Sequence, residues 1–397
     1  MDDQKTSGLS IQRLSQVAPV IRGLLATPTG DDDMPYRPII LKTLATQEAI
    51  DFASWPEKTG QPRPSALERL ERSPLYLDVI GSHESAAAFR KQLAGRFEVY
   101  AAQHGAKPQA ICLRDLGILY VSDSAPDSHQ PLHNKVALVT GSAGAIGHGI
   151  CRALLNQGCY LAATDLPGER LDAQVREFAE TAGDRILGVP LDVTDQNSVA
   201  QGLECIIQTW GGIDIVIVNA GIALTSPLTE LSLEAFQKLE KVNVEGTLLT
   251  LAASGRLLTL QGIGGDIVLI STKNVFAPGA RFGAYSATKA ASHQLGRIAS
   301  LELAEFGIRV NMVAPDAVFS DGSHKSGLWA TVGPERMKAR GLDEAGLEEY
   351  YRNRNLLKAK VTAQHVANAV LFFVTHQTPT TGATIPVDGG LPDATPR

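Results

Sequence analysis

The stretch Tyr285-Ser286-Ala287-Thr288-Lys289 sets a phenol and an amine four residues apart. On a helix those two positions share one face. An ammonium close to a phenol stabilises the phenolate and lowers its pKa from about 10. Such a phenol can take the proton of a substrate hydroxyl. Just upstream, Ser271 and Thr272 offer two hydroxyls, either of which could partner the phenol. Side chains at a strand end alternate between faces, so only one of the pair can serve. Lys273 and Asn274 follow directly and would lie near the substrate. A polar rim of this kind suits a hydroxylated, sugar-like molecule; a solvent-facing loop is the plain alternative.

A second group of residues could hold a nucleotide. In KVALVTGSAGAIGHGICRALLNQG, an apolar run ending at Thr140 enters a turn with Gly141, Gly144 and Gly147 and then a helix. Glycines let backbone approach a pyrophosphate closely, and a helix N-terminus offers free N–H groups and a positive dipole end. Asp165 ends the next apolar run, where a carboxylate can accept hydrogen bonds from a ribose 2′-hydroxyl. Leu166 and Pro167 follow it, with no adjacent cation to receive a 2′-phosphate, which favours NAD over NADP. Asp192 in LDVTD and Asn219-Ala220-Gly221 close two further runs. Each could be ordinary turn chemistry; together they outline a dinucleotide crevice.

Elements must hold these residues in place. From about Val136 onward, strand-like runs (VALVT, LAATD, VPLDV, IVIVNA, DIVLIS, RVNMVA, IPVDG) alternate with helix-length segments. That pattern predicts βαβ units around a parallel sheet covered by helices on both faces. The first 130 residues differ. Residues 1–35 are polar and predict a disordered or loosely attached tail. Residues 36–130 predict a small module: helical spacing in ESAAAFRKQLAGRFEVYAAQHG, then two short strands around a turn at Arg114-Asp115 in AICLRDLGILYVSD. The composition of SDSAPDSHQPLHNK predicts a linker.

Composition excludes several classes. The chain has 397 residues, a formal net charge of −6 and no sustained basic block, so neither nucleic acid nor an anionic membrane is an expected partner. No apolar stretch approaches the roughly 20 residues of a membrane helix. The N-terminus lacks the plan of a secretory signal. Cys112, Cys151, Cys159 and Cys205 form no CxxC pair, and a reducing, cytoplasmic setting is expected.

The ordered set TGSAGAIG, LDVTD, NAG, KVNVEG, YSATK and VDGG resembles the short-chain dehydrogenase/reductase family over residues 133–391. The resemblance implies an α/β fold with a Rossmann-type doubly wound parallel sheet of about seven strands. It also implies a nicotinamide cofactor and a dimer or tetramer, and a catalytic set of Asn243, Thr272, Tyr285 and Lys289. The family's hydroxyl stands 13 residues before the tyrosine, which selects Thr272 over Ser271. The resemblance gives Lys289 a ribose contact and Asn243 a water-mediated proton relay. It places Gly141, Ala145, Ile146, Gly147, Asp165, Asp192, Val193, Asn219, Ala220, Gly221, Tyr285, Lys289 and Pro315 against the cofactor. Two departures stand out: Ala145 replaces the middle glycine of the turn, and threonine replaces the usual serine.

A narrower resemblance links STKNVFAPG, APDAVFSDGS, EEYYRNRNLLK and TGATIPVDGGLPDATPR to the dehydrogenase half of two-part proteins that carry a rhamnulose-phosphate-type aldolase. TLATQEAIDFASWPEKTG and PQAICLRDLGILYVSD resemble the segment joining the halves there. An aldolase metal site would show an HxH pair. His83, His104, His129 and His133 are not so spaced, and no metal site is expected. Residues 316–360 interrupt the family pattern. Gly322, Gly327, Gly333, Gly341 and Gly346 punctuate this stretch, which suits a lid over the substrate. Asp316 stands where glycine is usual, while Tyr350, Arg352 and Arg354 could contact polar or phosphate groups. The expected activity is NAD-dependent oxidation of a small polyhydroxy alcohol, sugar derivative or hydroxyaldehyde. A biosynthetic ketone reductase and a non-catalytic NAD-binding protein are the alternatives.

Overall fold

The computed structural model describes residues 2–54, 64–68, 72–78, 86–122, 130–322 and 324–394. Half of the expected linker (123–129), together with His83 and His129, lies outside them. The chain divides into two compact units. One comprises Met1–Pro126, Leu203–Ile213 and Leu257–Ile263; the other comprises Asp127–Gly202, Asp214–Arg256 and Gly264–Arg397.

The first unit begins with helix α1 (Asp2–Leu25). The loose tail expected over residues 1–35 is therefore helical through residue 25. Leu14, Val17, Ala18, Ile21 and Leu25 are buried. Their three- and four-residue spacing is that of one helix face, a stripe hidden by the mostly polar residues before it. There follow β1 (Leu41–Leu44), α2 (Gln47–Ser54), β2 (Leu75–Leu77), α3 (Ala86–His104), β3 (Ala110–Leu113) and β4 (Gly117–Val121). The four strands form a sheet in the order β1-β4-β3-β2. β3 and β4 pair antiparallel across the expected turn, where Asp115 has a φ of 60°. Ala49 and Ala53 of α2 pack with Leu67, Ala110, Cys112 and Ile118.

The boundary expected near residue 130 does not delimit this unit, because two later segments belong to it. Within it, the Arg90 guanidinium donates to the Gln261 carbonyl at 2.7 Å, and the Gln261 side-chain amide donates to the Ile213 carbonyl at 2.9 Å. Sequence order conceals such an arrangement, since the partners lie about 170 positions apart.

The second unit carries β5 (Val136–Thr140), α4 (Ala145–Asn156), β6 (Tyr160–Asp165), α5 (Glu169–Ala182), β7 (Ile186–Pro190), α6 (Gln196–Trp210) and β8 (Ile215–Val218). Next come α7 (Leu233–Glu240), α8 (Gly246–Gln261), β9 (Gly265–Ile270), α9 (Gly283–Glu302) and β10 (Ile308–Pro315). Then come β11 (Ser320–Asp321), β12 (His324–Lys325), α10 (Gly327–Lys338), α11 (Glu344–Asn353), α12 (Ala363–Val374) and β13 (Thr384–Val387). Parts of α6 and α8 fall to the first unit.

Seven strands make one parallel sheet, β13-β10-β9-β8-β5-β6-β7. The β5 and β8 strands are fully buried, as both-face coverage requires. The chain winds from β5 outward through β6 and β7, then returns to β8 and winds the other way. The β5–β8 junction is thus the switch point, where ligands bind at the carboxyl ends of strands. Beyond Pro315, the expected glycine-punctuated lid is instead built of regular elements. Ser326 caps α10 by accepting from Trp329 N, and Asp343 caps α11 by accepting from Gly346 N. Gly333 and Gly346 lie inside those helices.

Candidate active site

β9 delivers Ser271 and Thr272 to the carboxyl edge of the sheet. Their hydroxyls diverge. Ser271 Oγ meets His293 Nδ1 of α9 at 2.9 Å. The Thr272 side chain faces the Tyr285 phenol and lowers its pKa, and its hydroxyl accepts from Asn274 N at 3.3 Å. The alternation anticipated at the strand end is what the two partners display.

Tyr285 and Lys289 sit one turn apart on α9, both buried. Lys289 Nζ donates to the Ile270 carbonyl at 2.7 Å. Burial lowers its pKa to about 8. Burial also pushes the Tyr285 phenol up to about 12; the Thr272 side chain opposes this, and the Asp316 carboxylate adds to it. The expectation that the lysine alone would draw the phenol downward is thereby corrected. In the protein by itself desolvation dominates, and the amine is engaged with a carbonyl.

Asn243 is fully buried and lies in a single π-helical turn, Lys241–Glu245, that joins α7 to α8. Its Oδ1 accepts from Ile222 N at 2.9 Å; its Nδ2 donates to Ile222 O at 2.9 Å and to Thr288 Oγ1 at 3.0 Å. Its own carbonyl accepts from the Thr247 hydroxyl at 2.7 Å. A side chain bound on both ends to one loop residue pins the segment after Gly221 against α9.

The glycine turn is close-packed. Gly141 has a φ of 63°, in the left-handed region. A Cβ on Gly147 would stand 2.4 Å from the Gly141 carbonyl, so this helix start can approach the turn only without a side chain. Ala145 opens α4 and is buried, so its methyl is absorbed by the core. Ile146 is partly buried beside it. Asn219 Nδ2 donates to the carbonyls of Thr140 and Gly141, each at 2.9 Å, tying the end of β8 to the turn. Ala220 N donates to Thr140 Oγ1 at 3.1 Å. Asp165 Oδ2 accepts from Ala143 N at 3.0 Å, and Oδ1 from Leu166 N at 2.8 Å. Asp192 is held by Thr194, whose N–H and hydroxyl donate to Oδ1 at 2.9 and 2.8 Å. Val193 is buried, and Pro315 ends β10. A dinucleotide fits this donor set: a glycine cradle at a helix start, with a carboxylate at the neighbouring strand end.

On the substrate side, Lys273 and Asn274 are buried rather than solvent-facing. Lys273 Nζ donates to the Ala277 carbonyl at 3.0 Å. Its pKa is lowered to about 8, chiefly by burial and then by the Arg354 cation. Asn274 Oδ1 has no hydrogen-bond partner among the described residues. Asp316 is ion-paired with Arg354, whose Nε lies 3.3 Å from Oδ2. Arg354 also stacks over the Tyr351 ring at 4.2 Å. Of the three lid residues singled out, only Arg354 is drawn here. Arg352 pairs with Glu349 at 2.9 Å, and Tyr350 lies beneath Arg340.

Sequence reading missed five participants. Arg336 of α10 is buried over the Phe282 ring and donates to Tyr351 OH at 3.2 Å. Val332, Leu328 and Trp329 of the same helix pack with Phe282 and Tyr285. Arg170 donates to the Ala143 carbonyl at 3.0 Å, on the same turn that Asp165 braces. Only Arg170 left a usable sign, a cation five positions after the strand-end carboxylate.

Comparison with known proteins agrees with this geometry. The pattern described as short chain dehydrogenase matches residues 135–330. The sorbitol dehydrogenase of Cereibacter sphaeroides is 36% identical over 197 residues, 50% of this chain and 75% of that protein. The chain belongs to the short chain dehydrogenase family. An uncharacterized oxidoreductase of Bacillus subtilis, YuxG, is 36% identical over 281 residues, 70% of this chain. This chain spans only 40% of that relative's length. Among solved structures, sorbitol-6-phosphate 2-dehydrogenase of Erwinia amylovora matches with a TM-score of 0.59 at 27% identity. That match covers 64% of this chain and 98% of the other.

Proposed function

We propose that this protein is an NAD-dependent dehydrogenase that oxidises a hydroxyl-bearing carbon of a small polyhydroxy alcohol, sugar derivative or hydroxyaldehyde. The observation that carries the reading is buried Tyr285 with Thr272 beside its phenol and buried Lys289 one turn further along the same helix. A bound nicotinamide dinucleotide would supply the hydride acceptor, held by the Gly141–Gly147 turn and Asp165.

The chain's own residues manage the proton. The Thr272 hydroxyl orients the substrate oxygen beside Tyr285 Oη. Tyr285 takes the hydroxyl proton as its carbon is oxidised. Lys289 stabilises the phenolate while it carries its own proton. Asn243 fixes the loop after Gly221 and so the shape of the crevice. Lys273, Asn274 and the Asp316–Arg354 pair line the polar side, where the free acceptor of Asn274 suits a second substrate hydroxyl. The lid helix α10 supplies the apolar side and excludes water. Asp165 favours an unphosphorylated ribose, and the similarity to sorbitol dehydrogenase supports a polyol substrate.

The narrower kinship with the dehydrogenase half of aldolase-linked proteins belongs to the same proposal. It is supported by the match to under half the length of YuxG. We assign the first unit no aldolase chemistry. A homodimer or homotetramer is supported by exposed Leu248, Ile298 and Leu301 on α8 and α9. Four free cysteines support a cytoplasmic setting. Among the described residues, no helix is long and apolar enough to cross a membrane.

A panel of polyols, deoxysugars and hydroxyaldehydes with NAD, followed by nicotinamide absorbance, tests the reading. Turnover with one class that is abolished in Tyr285→Phe supports it. Absence of turnover across the panel in either direction counts against it.

A further inference from the structure

Away from the crevice, a charged cluster joins α4, α5 and the β11–β12 hairpin at the root of the lid. His148 of α4 is buried, with the Phe178 ring stacked on it at 4.8 Å and the His324 ring of the hairpin at 3.7 Å. Both of its ring nitrogens face carboxylates. Nδ1 meets Asp321 Oδ2 at 2.8 Å, and Nε2 meets Glu177 Oε1 at 3.2 Å. His324 Nε2 lies 3.3 Å from the other Glu177 oxygen. Arg152 grips Asp321, with Nη1–Oδ2 at 2.6 Å and Nη2–Oδ1 at 2.9 Å.

The atom types fix where the protons are. An ionised carboxylate only accepts. Burial opposes the Asp321 charge, but hydrogen bonds from Arg152 and His148 outweigh it and hold the carboxyl below its ordinary range. His148 therefore donates from Nδ1 to Asp321 and from Nε2 to Glu177. A neutral imidazole has one N–H and cannot do both; an imidazolium can. His324 needs only one N–H to reach Glu177 and stays neutral, since two imidazoliums stacked face to face would repel. The charges then balance, His148 and Arg152 against Asp321 and Glu177. Neighbouring cations are taken up elsewhere: Arg176 pairs with Glu169, and Lys325 with Glu344 at 3.1 Å. α12, also packed on α4, brings one titratable side chain, His365, whose Nδ1 accepts from Thr362 N at 3.3 Å.

The hairpin is packed onto the lid helix. Phe319, just ahead of β11, stacks on Trp329 of α10 at 4.5 Å, and its carbonyl accepts from Ser326 N at 2.9 Å. Trp329 packs in turn with Phe282 and Tyr285. We propose that His148 is a positioning residue: as an imidazolium between Asp321 and Glu177, it fastens the hairpin to α4 and α5 and so seats α10 over Tyr285. A proton that the seated hairpin requires is released as pH rises, and the lid loosens with it. The proposal rests on the dehydrogenase reading only for what the lid covers.

Hydrogen–deuterium exchange of the full-length protein reads the clasp directly. Protection factors, corrected for the pH dependence of exchange itself, are compared over residues 324–338 at about pH 6 and about pH 9, either side of the usual imidazole range. The native protein should lose protection at least about tenfold at the higher pH, the scale of one charge-assisted hydrogen bond. His148→Gln, whose one amide nitrogen cannot span both carboxylates, should show the lower protection at both. Glu177→Gln discriminates further. The new amide donates to Nε2 of a neutral His148 and still accepts from His324, so protection should persist at about pH 9. A merely structural contact would not be rescued in this way. Lys273 also titrates in the interval, its pKa lowered to about 8 chiefly by burial, but it is unchanged in the Glu177→Gln protein. Equal protection of the native protein at both pH values overturns the proposal. So does a Glu177→Gln protein that loses protection as the native one does, or a His148→Gln protein protected like the native one at about pH 6. No readout involves turnover, so failure here leaves the dehydrogenase reading untouched.

Discussion

Ser271 Oγ lies 2.9 Å from His293 Nδ1, whereas the adjacent Thr272 side chain faces the Tyr285 phenol. One residue along a strand therefore separates a structural hydroxyl from the one that reaches the phenol. Thr272→Ala should lower turnover by about 10²-fold, the scale of losing a transition-state donor. Thr272→Ser should retain most activity. Ser271→Ala should leave turnover nearly intact and cost about 1 kcal/mol of stability, one lost hydrogen bond. Steady-state kinetics and melting curves separate the effects; a dead Ser271→Ala beside an active Thr272→Ala would reverse the assignment.

The charge state of Tyr285 predicts a pH profile. Its pKa is raised to about 12, so the phenolate needed to accept a proton is scarce at neutral pH and grows with alkalinity. Oxidation should climb by about tenfold per pH unit from about pH 6 to about pH 8. It should climb less steeply above about 8, where Lys289 loses its charge. Reduction uses the protonated phenol and should vary little over the same range. An oxidation rate that falls as pH rises contradicts this ordering.

Asp165 predicts discrimination at the ribose. The native protein should use NAD at least about tenfold more efficiently than NADP, because a 2′-phosphate would meet the carboxylate. Asp165→Ser with Leu166→Arg should narrow the ratio, and Arg170 already supplies a cation nearby. Equal use of both cofactors by the native protein would falsify the preference.

Asp316 has a side chain only 5% exposed and owes its compensation to Arg354. Arg354→Ala leaves that carboxylate without its cation and should destabilise the chain by about 1–3 kcal/mol. Arg354→Lys should not restore the loss fully, since an ammonium cannot reproduce both the paired contact and the stacking on Tyr351. Thermal unfolding measures the first effect; a rise in KM larger than the fall in kcat would place the pair on the substrate side.

Removal of residues 1–130 strips the sheet, α1 and α3 from the compact unit that includes Leu203–Ile213 and Leu257–Ile263. Those segments would lose Arg90 and the buried face of α1. The truncated chain should therefore melt lower or aggregate, as light scattering would show. An unchanged melting temperature and oligomeric state would assign the N-terminal residues no stabilising part.

The parallel sheet and the Tyr285–Lys289 pair were readable because each rests on local order: apolar runs at strand length, and two residues one helical turn apart. Thr272 needed one further step, a count along the chain. α1 was missed because the residues before Leu14 are mostly polar. Arg336 escaped because its role depends on Tyr351, and the pairing of Arg354, singled out from the sequence, with Asp316 escaped because folding alone brings those two together. The same limit hid His148 and His324, whose rings stack although 176 positions separate them.

The π-helical turn at Lys241–Glu245 gives the chain one residue more than a regular helix would hold there. Its consequence is a matter of phase. An α-helix advances about 100° per residue, so loss of one residue would restore the regular winding and swing Asn243 away from Ile222 and Thr288. A substitution at 243 changes only what the side chain can bond. A one-codon deletion anywhere in the turn would redirect the whole segment without altering that side chain. This part of the site is thus guarded by chain length as well as by residue identity, and length variation should be tolerated in the loops around it but not here.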